Sequence, residues 1–346
     1  MDFSIASILV LDGATNGAIY ALLAIATVLL FVVTRVIFIP QGEFVAYGAL
    51  TLAMMQLGKV PGTVWLLAVM ALIVTVIDLV GGMRRHRPTG ALMKSAAWTL
   101  LFPLLVLAIT LWAAPRQLPL WAQSLLTLAI VTPLGPLVYR LAYQPIADAT
   151  VLTLLIVSVG VHFALTGLGL VFFGAEGFRN PTFWDARFNA GALALTGQTL
   201  IIFIVSLILI IALALFFGRT LYGKALRATA VNRLGARLMG ISTSGAGKLS
   251  FGLAAFIGAL SGLLIGPSTT MFYDSGFLIG LKGFVAAIVG GLASYPLAAL
   301  GALFVGLLEA FGSFYASAFK EVIVFTFIIP VLVWISLRHG HHDDED

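Results

Sequence analysis

The 22 residues TGQTLIIFIVSLILIIALALFF, numbers 196–217, decide the class of fold. They contain no charged side chain, and a helix of about 20 apolar residues spans the hydrocarbon core of a bilayer. Ten more apolar runs lie near residues 5–33, 43–57, 62–82, 95–114, 120–142, 150–173, 249–266, 277–293, 296–313 and 321–337. The sequence therefore predicts an all-α, polytopic transmembrane bundle of about 10 to 11 membrane segments, in a single domain of residues 1–346.

The composition supports this class and excludes several others. Of the 346 residues, 61% are hydrophobic and 10% are charged, against a charged share of roughly 25% in soluble domains. The chain has no cysteine, which excludes disulfides and thiolate metal sites. Its polar residues form no HExxH motif, no Ser–His pair with an orienting acid and no paired aspartates at helical spacing. We therefore predict neither an enzyme nor a metal or cofactor site, and nothing indicates nucleic-acid binding.

Three of the apolar runs have unusual lengths. Runs 43–57 and 277–293 are short for a span, so we expect tilted, broken or re-entrant helices there. The run 5–33 is too long for one straight span, and the polar residues from Asp12 to Asn16 predict a break within it. The glycine pattern Gly258-xxx-Gly262-xxx-Gly266 predicts ordinary close helix packing.

Charge predicts the orientation of the loops. Residues 218–248 contain six Lys or Arg and no Asp or Glu, so this central loop is expected on the cytoplasmic side. Alternating outwards from it places Arg35, Arg140 and the tail 338–346 on the same side, and the charge-neutral loop from Glu176 to Arg187 on the other. Eleven crossings put the N-terminus outside, whereas a re-entrant 43–57 segment would move it inside.

The central basic loop has helical periodicity in two pieces that separate near Thr229. Leu221, Tyr222, Ala225 and Leu226 group together in the first piece, and Val231, Leu234, Leu238 and Ile241 in the second. Each piece is suited to lying beneath the bilayer or to inserting into a groove of a partner protein. The nearby GRTLYGKA sequence, 218–225, lacks the hydroxyl residue and the preceding strand of a phosphate-binding loop, so any ATP is expected on another subunit.

The segment from Gly223 to Ile241 resembles the coupling-helix motif of ABC-transporter permeases, in the version of the LivH-type branched-chain amino acid permeases. The resemblance extends over roughly residues 12–57 and 136–336. It is carried further by Asn16–Ala24, Phe38–Phe44, Tyr143-Gln-Pro145, Gly280–Gly291, Glu309 and Lys320-Glu321. Two departures stand out: residues 59–119 hold two extra spans, and the usual Pro-Gly finish is replaced by Trp334 to Gly340.

The resemblance implies a permease subunit in the bacterial inner membrane that forms part of an import pathway. It implies a second related permease, with which this chain would form a heterodimer as is usual in the family. It also implies two cytoplasmic ATP-binding subunits and a periplasmic solute-binding protein. The residues it assigns to the ATPase contact are Gly223, Arg227, Ala228, Asn232, Ala236, Gly240 and Ile241. Alternatively, Arg227, Arg233 and Arg237 are plain cytoplasmic charges that meet anionic membrane lipid.

Polar residues inside apolar runs are costly and therefore mark candidate sites. The candidates for the pathway are Asn16, Tyr20, Gln41, Glu43, His162 and Glu309. For each one a structural role is the alternative: interhelical hydrogen bonding on the first span, helix-dipole stabilisation for Glu43, and a packing hydrogen bond for His162 and Glu309. Asp78 is expected to pair with Arg84 or Arg85, and Lys282 to snorkel to the outer surface.

Two other functions stay open beside amino-acid import. A urea or short-amide permease shares the motifs, and the solute is not readable from the chain. A stand-alone secondary transporter or channel would need its own coupling-ion site and would have no evident use for the basic helices.

Overall fold

The chain is described here by a computed structural model that covers residues 3–86, 88–190, 193–292 and 294–339. The described helices are α1 Phe3–Thr34, α2 Gln41–Gln56, α3 Gly62–Arg84, α4 Thr89–Ala113, α5 Leu120–Val131, α6 Leu134–Val138, α7 Val151–Phe173, α8 Gly197–Arg219, α9 Leu221–Val231, α10 Arg233–Leu238, α11 Thr243–Ile265, α12 Ser275–Val289, α13 Tyr295–Ala316, α14 Lys320–Thr326 and α15 Ile328–His339. Two short strands, β1 Arg187–Ala190 and β2 Leu193–Thr196, pair antiparallel in one loop. The all-α prediction is confirmed, apart from this small sheet.

Eight stretches of the described chain are long and apolar enough to cross a membrane. They are Ser4–Thr34, Gly62–Arg84, Thr89–Arg116, Leu120–Ile146, Val151–Phe173, Gly197–Arg219, Thr243–Ile265 and Tyr295–Val331. The last of these contains the predicted run 296–313 and most of the run 321–337, and a 3₁₀ turn at Ser317–Phe319 separates the two. The two remaining runs are the short helices α2 and α12, of 16 and 15 residues. Every predicted apolar run therefore corresponds to a helix, and the two expected short helices are short.

The first helix lies at the centre of the bundle. The predicted break between Asp12 and Asn16 is wrong, because α1 is one continuous helix of 32 residues. The Thr15 hydroxyl in this segment donates to the Leu11 carbonyl at 2.7 Å, so it is satisfied without unwinding. Gly13 lies so close to α13 that a Cβ on it would be 2.8 Å from Leu307 Cα. Packing against α13 thus supports the helix where polar residues predicted an interruption.

The two short helices cross each other in the interior. A Cβ on Gly42 would lie 1.9 Å from the carbonyl oxygen of Gly276, so the backbones of α2 and α12 are in contact. The glycine ridge of α11 packs against α2 from another side, since a Cβ on Gly262 would lie 2.1 Å from the Val45 carbonyl oxygen. The residues of α2 from Gln41 to Met55 are buried. The predicted packing role of the ridge is confirmed at this contact.

Helices α3, α4, α7 and α8 lie at the periphery of the bundle. In the most apolar stretch of each of these spans, only 22–28% of the residues are buried. Helices α3 and α4 pack on one another and expose large apolar residues such as Trp98, as expected of lipid-facing helices. Asp78 on α3 forms an ion pair with Arg140, so the predicted partners Arg84 and Arg85 are wrong. They follow Asp78 by six and seven residues, nearly two helical turns, whereas Arg140 reaches it from a neighbouring segment.

Candidate functional site

A large cavity of about 1150 Å³ opens at one end of the bundle. It is bounded by the N-terminal part of α1, by α12 and α13, and by the loops around Arg179 and Pro267. Three of the six pathway candidates, Asn16, Tyr20 and Glu309, line it. The Arg179 side chain donates to the carbonyl of Pro267 at 2.8 Å, which holds the two loops together at the rim. The cavity is therefore formed by segments far apart in the sequence.

The charged residues that line this cavity balance one another. There are four cations and four anions: Arg179, Arg187, Lys282 and Lys320 against Asp12, Asp185, Glu309 and Glu321. Their formal charges sum to zero, so the cavity offers donors and acceptors of both signs. Such a lining is suited to a solute that carries both a positive and a negative group.

An ion-pair network lies on the inner wall of the cavity. Lys282 Nζ donates to Glu309 Oε1 at 2.5 Å and to Glu321 Oε1 at 3.1 Å. The Tyr20 hydroxyl donates to the other oxygen of Glu309, Oε2, at 2.5 Å. This arrangement confirms a hydrogen bond for Glu309 in packed protein.

The snorkelling predicted for Lys282 is wrong. The residue is only 4% exposed, and its ammonium lies between two carboxylates. An unpaired ammonium at this depth would be costly, and two acidic partners offset that cost. The sequence contained the acidic groups, but they lie on α13 and α14, and no local pattern joins these helices to α12.

The other three pathway candidates lie outside this cavity, around the start of α2. Glu43 is in the first turn of α2, as predicted, and is completely buried. Its Oε1 lies 2.9 Å from Nδ1 of His162 on α7. The Gln41 side-chain amide donates to the carbonyl of Ala254 on α11 at 2.9 Å. Glu43 therefore has a position near the positive end of the α2 dipole and a buried polar partner.

The predicted polar pathway is thus divided into two clusters. Asn16, Tyr20 and Glu309 belong to the cavity, and Gln41, Glu43 and His162 belong to a buried cluster among α2, α7 and α11. Side-chain oxygens Oε1 of Gln41 and Oε2 of Glu43 have no hydrogen-bond partner in the described chain. The second cluster therefore retains unused acceptors beside an ionisable pair.

The central basic loop forms two helices, as predicted, and they project from the bundle. The predicted separation near Thr229 is wrong by three residues, because α9 continues to Val231. Asn232 separates the helices, and its side chain accepts a hydrogen bond from the Gly235 amide at 2.8 Å. Asparagine is a preferred residue for this N-cap position. Thr229 instead donates to the Ala225 carbonyl at 2.9 Å within α9.

We call residues Leu221–Leu238 the coupling segment. Most of its large apolar side chains are exposed to solvent or lipid. The exposed fraction is 68–88% for Leu221, Tyr222, Val231, Leu234, Leu238 and the following Met239. Leu226 is the exception and packs in a small core with Leu29, Val33 and Ala246. Leu226 therefore packs the segment against the bundle, whereas the other large apolar side chains form an exposed apolar surface.

The seven residues predicted to contact an ATPase occupy different environments. Arg227 and Ala228 are exposed on α9, and Arg227 forms no ion pair or hydrogen bond with the described residues. Asn232 is exposed and caps α10. These three are open to a partner, and the prediction of that contact stays a prediction.

The other four residues shape the segment. Gly223 is buried where a Cβ would lie 2.2 Å from the Phe216 carbonyl oxygen, so α9 can turn closely against α8. Ala236 is buried within the segment, and its carbonyl accepts from the Ile241 amide at 2.9 Å. Gly240 has φ +81°, the left-handed conformation that ends a helix in a Schellman motif. Half-buried Ile241 follows it and leads into α11.

Two arginines of the coupling segment are tied to the bundle. Arg233 Nη1 donates to the Ala147 carbonyl at 2.8 Å, and Arg237 Nη2 to Asp148 Oδ1 at 3.3 Å. Arg237 Nε also donates to Thr243 Oγ1 at 2.9 Å, at the start of α11. Sequence reasoning missed Asp148. The sequence feature that could have identified it is that Asp148 is the only acidic residue in the short loop between two predicted spans.

This arrangement defines a class of protein. A bundle of membrane-length helices, with a polar cavity at one end and an exposed amphipathic segment at the other, is a membrane transport subunit. Residues 9–333 match the family described as the branched-chain amino acid transport system permease component. The chain belongs to this family, so it is a permease subunit of an ABC transporter, and the resemblance predicted from its motifs is confirmed.

Curated relatives agree with this assignment. One is the high-affinity branched-chain amino acid transport system permease protein BraD of Pseudomonas aeruginosa, 29% identical over 60% of this chain and 70% of the relative. The corresponding LivH protein of Escherichia coli K12 is 30% identical over 60% of this chain and 69% of its own length. A probable LivH permease of Methanocaldococcus jannaschii is 27% identical over 62% and 70%. No solved structure was found to match.

Proposed function

We propose that this permease imports a branched-chain or other small zwitterionic amino acid across a bacterial inner membrane. The observation that carries the proposal is the coupling segment, with its row of exposed apolar side chains beside an unpaired arginine. An ATP-binding subunit that binds such a surface buries apolar area and also forms an electrostatic contact with the arginine. ATP hydrolysis then takes place on separate subunits, and this chain contributes the pathway.

The complete transporter is proposed to contain a second related permease, two cytoplasmic ATP-binding subunits and a periplasmic solute-binding protein. Pairing with a related permease gives a heterodimer. The coupling segment and the tail 338–346 would face the cytoplasm, and the large cavity would face the periplasm. Residues 340–346 of the tail lie outside the described residues. Residues 59–119 are a two-span addition to the family's permease domain, and residues 218–248 are its cytoplasmic coupling loop.

The solute class is inferred from the relatives and from the cavity. The relatives' names refer to branched-chain amino acids. An amino acid carries an ammonium and a carboxylate at neutral pH, which matches the balanced charges of the cavity lining. Urea and short amides carry no charge and need no such lining. The charge balance therefore favours a zwitterion over an amide.

Force transmission is proposed to use the ties between the coupling segment and the bundle. Movement of α10 would pull on the loop at Asp148 through Arg237 and on the start of α11 through Thr243. The loop leads into α7, which carries His162, and α11 packs on α2, which carries Glu43. Nucleotide-driven motion would thereby reach the buried Glu43–His162 pair.

The test is reconstitution of the purified permease pair with its ATP-binding and solute-binding subunits in proteoliposomes. We expect uptake of labelled leucine only with ATP, with inhibition by excess isoleucine or valine and none by excess urea. Inhibition by urea alone would refute the solute assignment. Uptake by this chain without the ATP-binding subunits would refute the ABC mechanism and favour a secondary transporter.

Co-purification gives a second, simpler test of the assembly. In mild detergent, a tagged form of this chain should retain an ATP-binding subunit and a second permease. Recovery of two copies of this chain without a related permease would contradict the heterodimer.

A further inference from the structure

A second cavity, of about 630 Å³, lies between the α3–α4 pair and the bundle. Its walls come from α3, α4, the segment containing Arg140 and Gln144, and the start of α11. It shares no lining residue with the large cavity. The transport pathway proposed above does not use it, so it needs a separate explanation.

The lining of this second cavity is rich in cations. Arg85, Arg140 and Lys248 line it together with a single acid, Asp78. Asp78 is already paired with Arg140, and Arg85 and Lys248 form no ion pair within the described residues. The cavity therefore has a formal excess of two positive charges. That excess attracts an anion.

Further hydrogen-bonding groups accompany the charges. The Nε–H of Arg140 is buried and has no partner in the described chain. The hydroxyls of Ser95, Thr99 and Ser244 also line the cavity. Guanidinium, ammonium and hydroxyl donors around one space are the groups that bind phosphate oxygens in proteins.

The cavity also has an apolar margin. Ile77 lines it and is 49% exposed, and Leu79 and Leu92 belong to the same lining. Large apolar side chains nearby on α3 and α4, such as Met83 and Met93, are exposed as well. A soluble anion would gain nothing from this margin, whereas acyl chains attached to a phosphate would pack along it.

We infer that the second cavity binds the phosphate of an anionic phospholipid headgroup, with its acyl chains along the exposed face of α3 and α4. The ligand's phosphate is held by Arg85, Lys248 and the free Nε–H of Arg140. Bound there, the lipid joins the α3–α4 pair to the start of α11, a few residues beyond the coupling segment. The site is independent of the solute that the permease carries.

The experiment measures lipid retention by native mass spectrometry of the purified permease after exchange into detergent containing equal phosphatidylglycerol and phosphatidylcholine. The test variant is Arg85→Gln/Lys248→Gln. The matched control is Arg84→Gln/Lys94→Gln, which removes the same charge from neighbouring positions that do not line the cavity. We expect phosphatidylglycerol to be preferred by the wild type and by the control. The test variant should lose roughly tenfold or more of that preference.

A charge-preserving variant, Arg85→Lys/Lys248→Arg, should retain binding, which separates loss of a site from misfolding. Inorganic phosphate and glycerol 3-phosphate are added as competitors to identify the source of the phosphate. The inference is overturned by equal loss of preference in the test and control variants, by no preference in the wild type, or by displacement of the lipid at micromolar inorganic phosphate.

Discussion

At the scale of single residues, the interior of this permease contains buried pairs of ionisable groups. Lys282 is neutralised by Glu309 and Glu321, and Glu43 is paired with His162. A buried pair is a weak source of stability as a whole, yet removing one partner leaves the other uncompensated. These residues are therefore sensitive positions whether or not solute touches them.

Replacing Lys282 with Met should destabilise the protein strongly. Two carboxylates would lose their shared ammonium, and breaking a buried pair from one side costs about 3–5 kcal/mol. The double variant Lys282→Met/Glu309→Gln should recover part of the lost stability, because it also removes the uncompensated charge of Glu309. Thermal unfolding in detergent measures both. Lys320→Met, at a position whose side chain is 41% exposed, is the control, and an equally large effect there would contradict this explanation.

A glycine at a helix crossing is a second sensitive position. In Gly42→Ala the new Cβ would lie 1.9 Å from the Gly276 carbonyl oxygen, so α2 and α12 must separate. Overpacking of this kind typically costs about 1–3 kcal/mol. Gly160→Ala is the matched control, since nothing lies within 4 Å of its Cβ position on α7. We expect a lower midpoint of thermal unfolding for the first variant only; equal midpoints would show that the crossing tolerates a methyl group.

At the scale of elements, the structure separates three arginines that look equivalent in the sequence. Arg233 and Arg237 are held by the loop at Asp148 and by Thr243, whereas Arg227 on α9 has no partner in the described chain. Of the three arginines, mainly Arg227 is therefore free to contact either an ATP-binding subunit or anionic lipid, the two roles considered from the sequence. Arg233 and Arg237 instead hold the coupling segment to the bundle, a role that was not predicted from the sequence.

Arg227→Glu should abolish ATP-driven uptake and co-purification of the ATP-binding subunit, while membrane insertion and permease pairing persist. The reason is that an exposed contact charge is reversed without disturbing any internal bond. Arg84→Glu makes the same charge change at an exposed position away from the coupling segment. Full uptake by the Arg227 variant, or equal loss in both variants, would count against docking at this site.

Asp148→Asn should weaken transmission while leaving docking intact. The ion pairs of Asp148 are exposed, and such pairs contribute about 1 kcal/mol or less, so stability should hardly change. We expect the ATP-binding subunit to co-purify normally and uptake per ATP hydrolysed to fall a few-fold. Glu176→Gln, in the loop at the other end, is the control. Loss of co-purification would instead assign Asp148 to the docking surface.

At the scale of the whole molecule, the two ends of the bundle differ in charge and in shape. One end carries the large charge-balanced cavity, and the other carries the coupling segment and the cation-rich second cavity. Loops that the charge rule assigned to one side of the membrane come together at one end of the structure. This agreement motivates the proposed orientation.

Single-cysteine labelling can test that orientation, because the natural chain has no cysteine. With a membrane-impermeant maleimide, Thr269→Cys and Asn16→Cys, both in the large cavity, should react in right-side-out vesicles. Leu238→Cys, on the exposed coupling segment, should react only in inside-out vesicles. Thr51→Cys, at a fully buried position, should remain unlabelled in both. Reaction of the Leu238 variant from outside would reverse the proposed orientation.

The sequence by itself determined the membrane class, the positions of the helices, the two short helices and the paired helices of the coupling segment. These properties depend on hydropathy, periodicity and capping within about 20 neighbouring residues, so a local pattern carries them. Even the error at Thr229 was small, because the cap at Asn232 lies three residues away. The motifs also identified the family correctly.

The tertiary structure decided which charges meet. Lys282 pairs with residues 27 and 39 positions away, and Asp78 with one 62 positions away, so no local window contains both members of a pair. The continuity of α1 through Asp12–Asn16 was likewise decided by packing against α13. The division of the pathway candidates into two clusters has the same cause. Contacts between helices depend on how the helices pack, and hydropathy does not specify that.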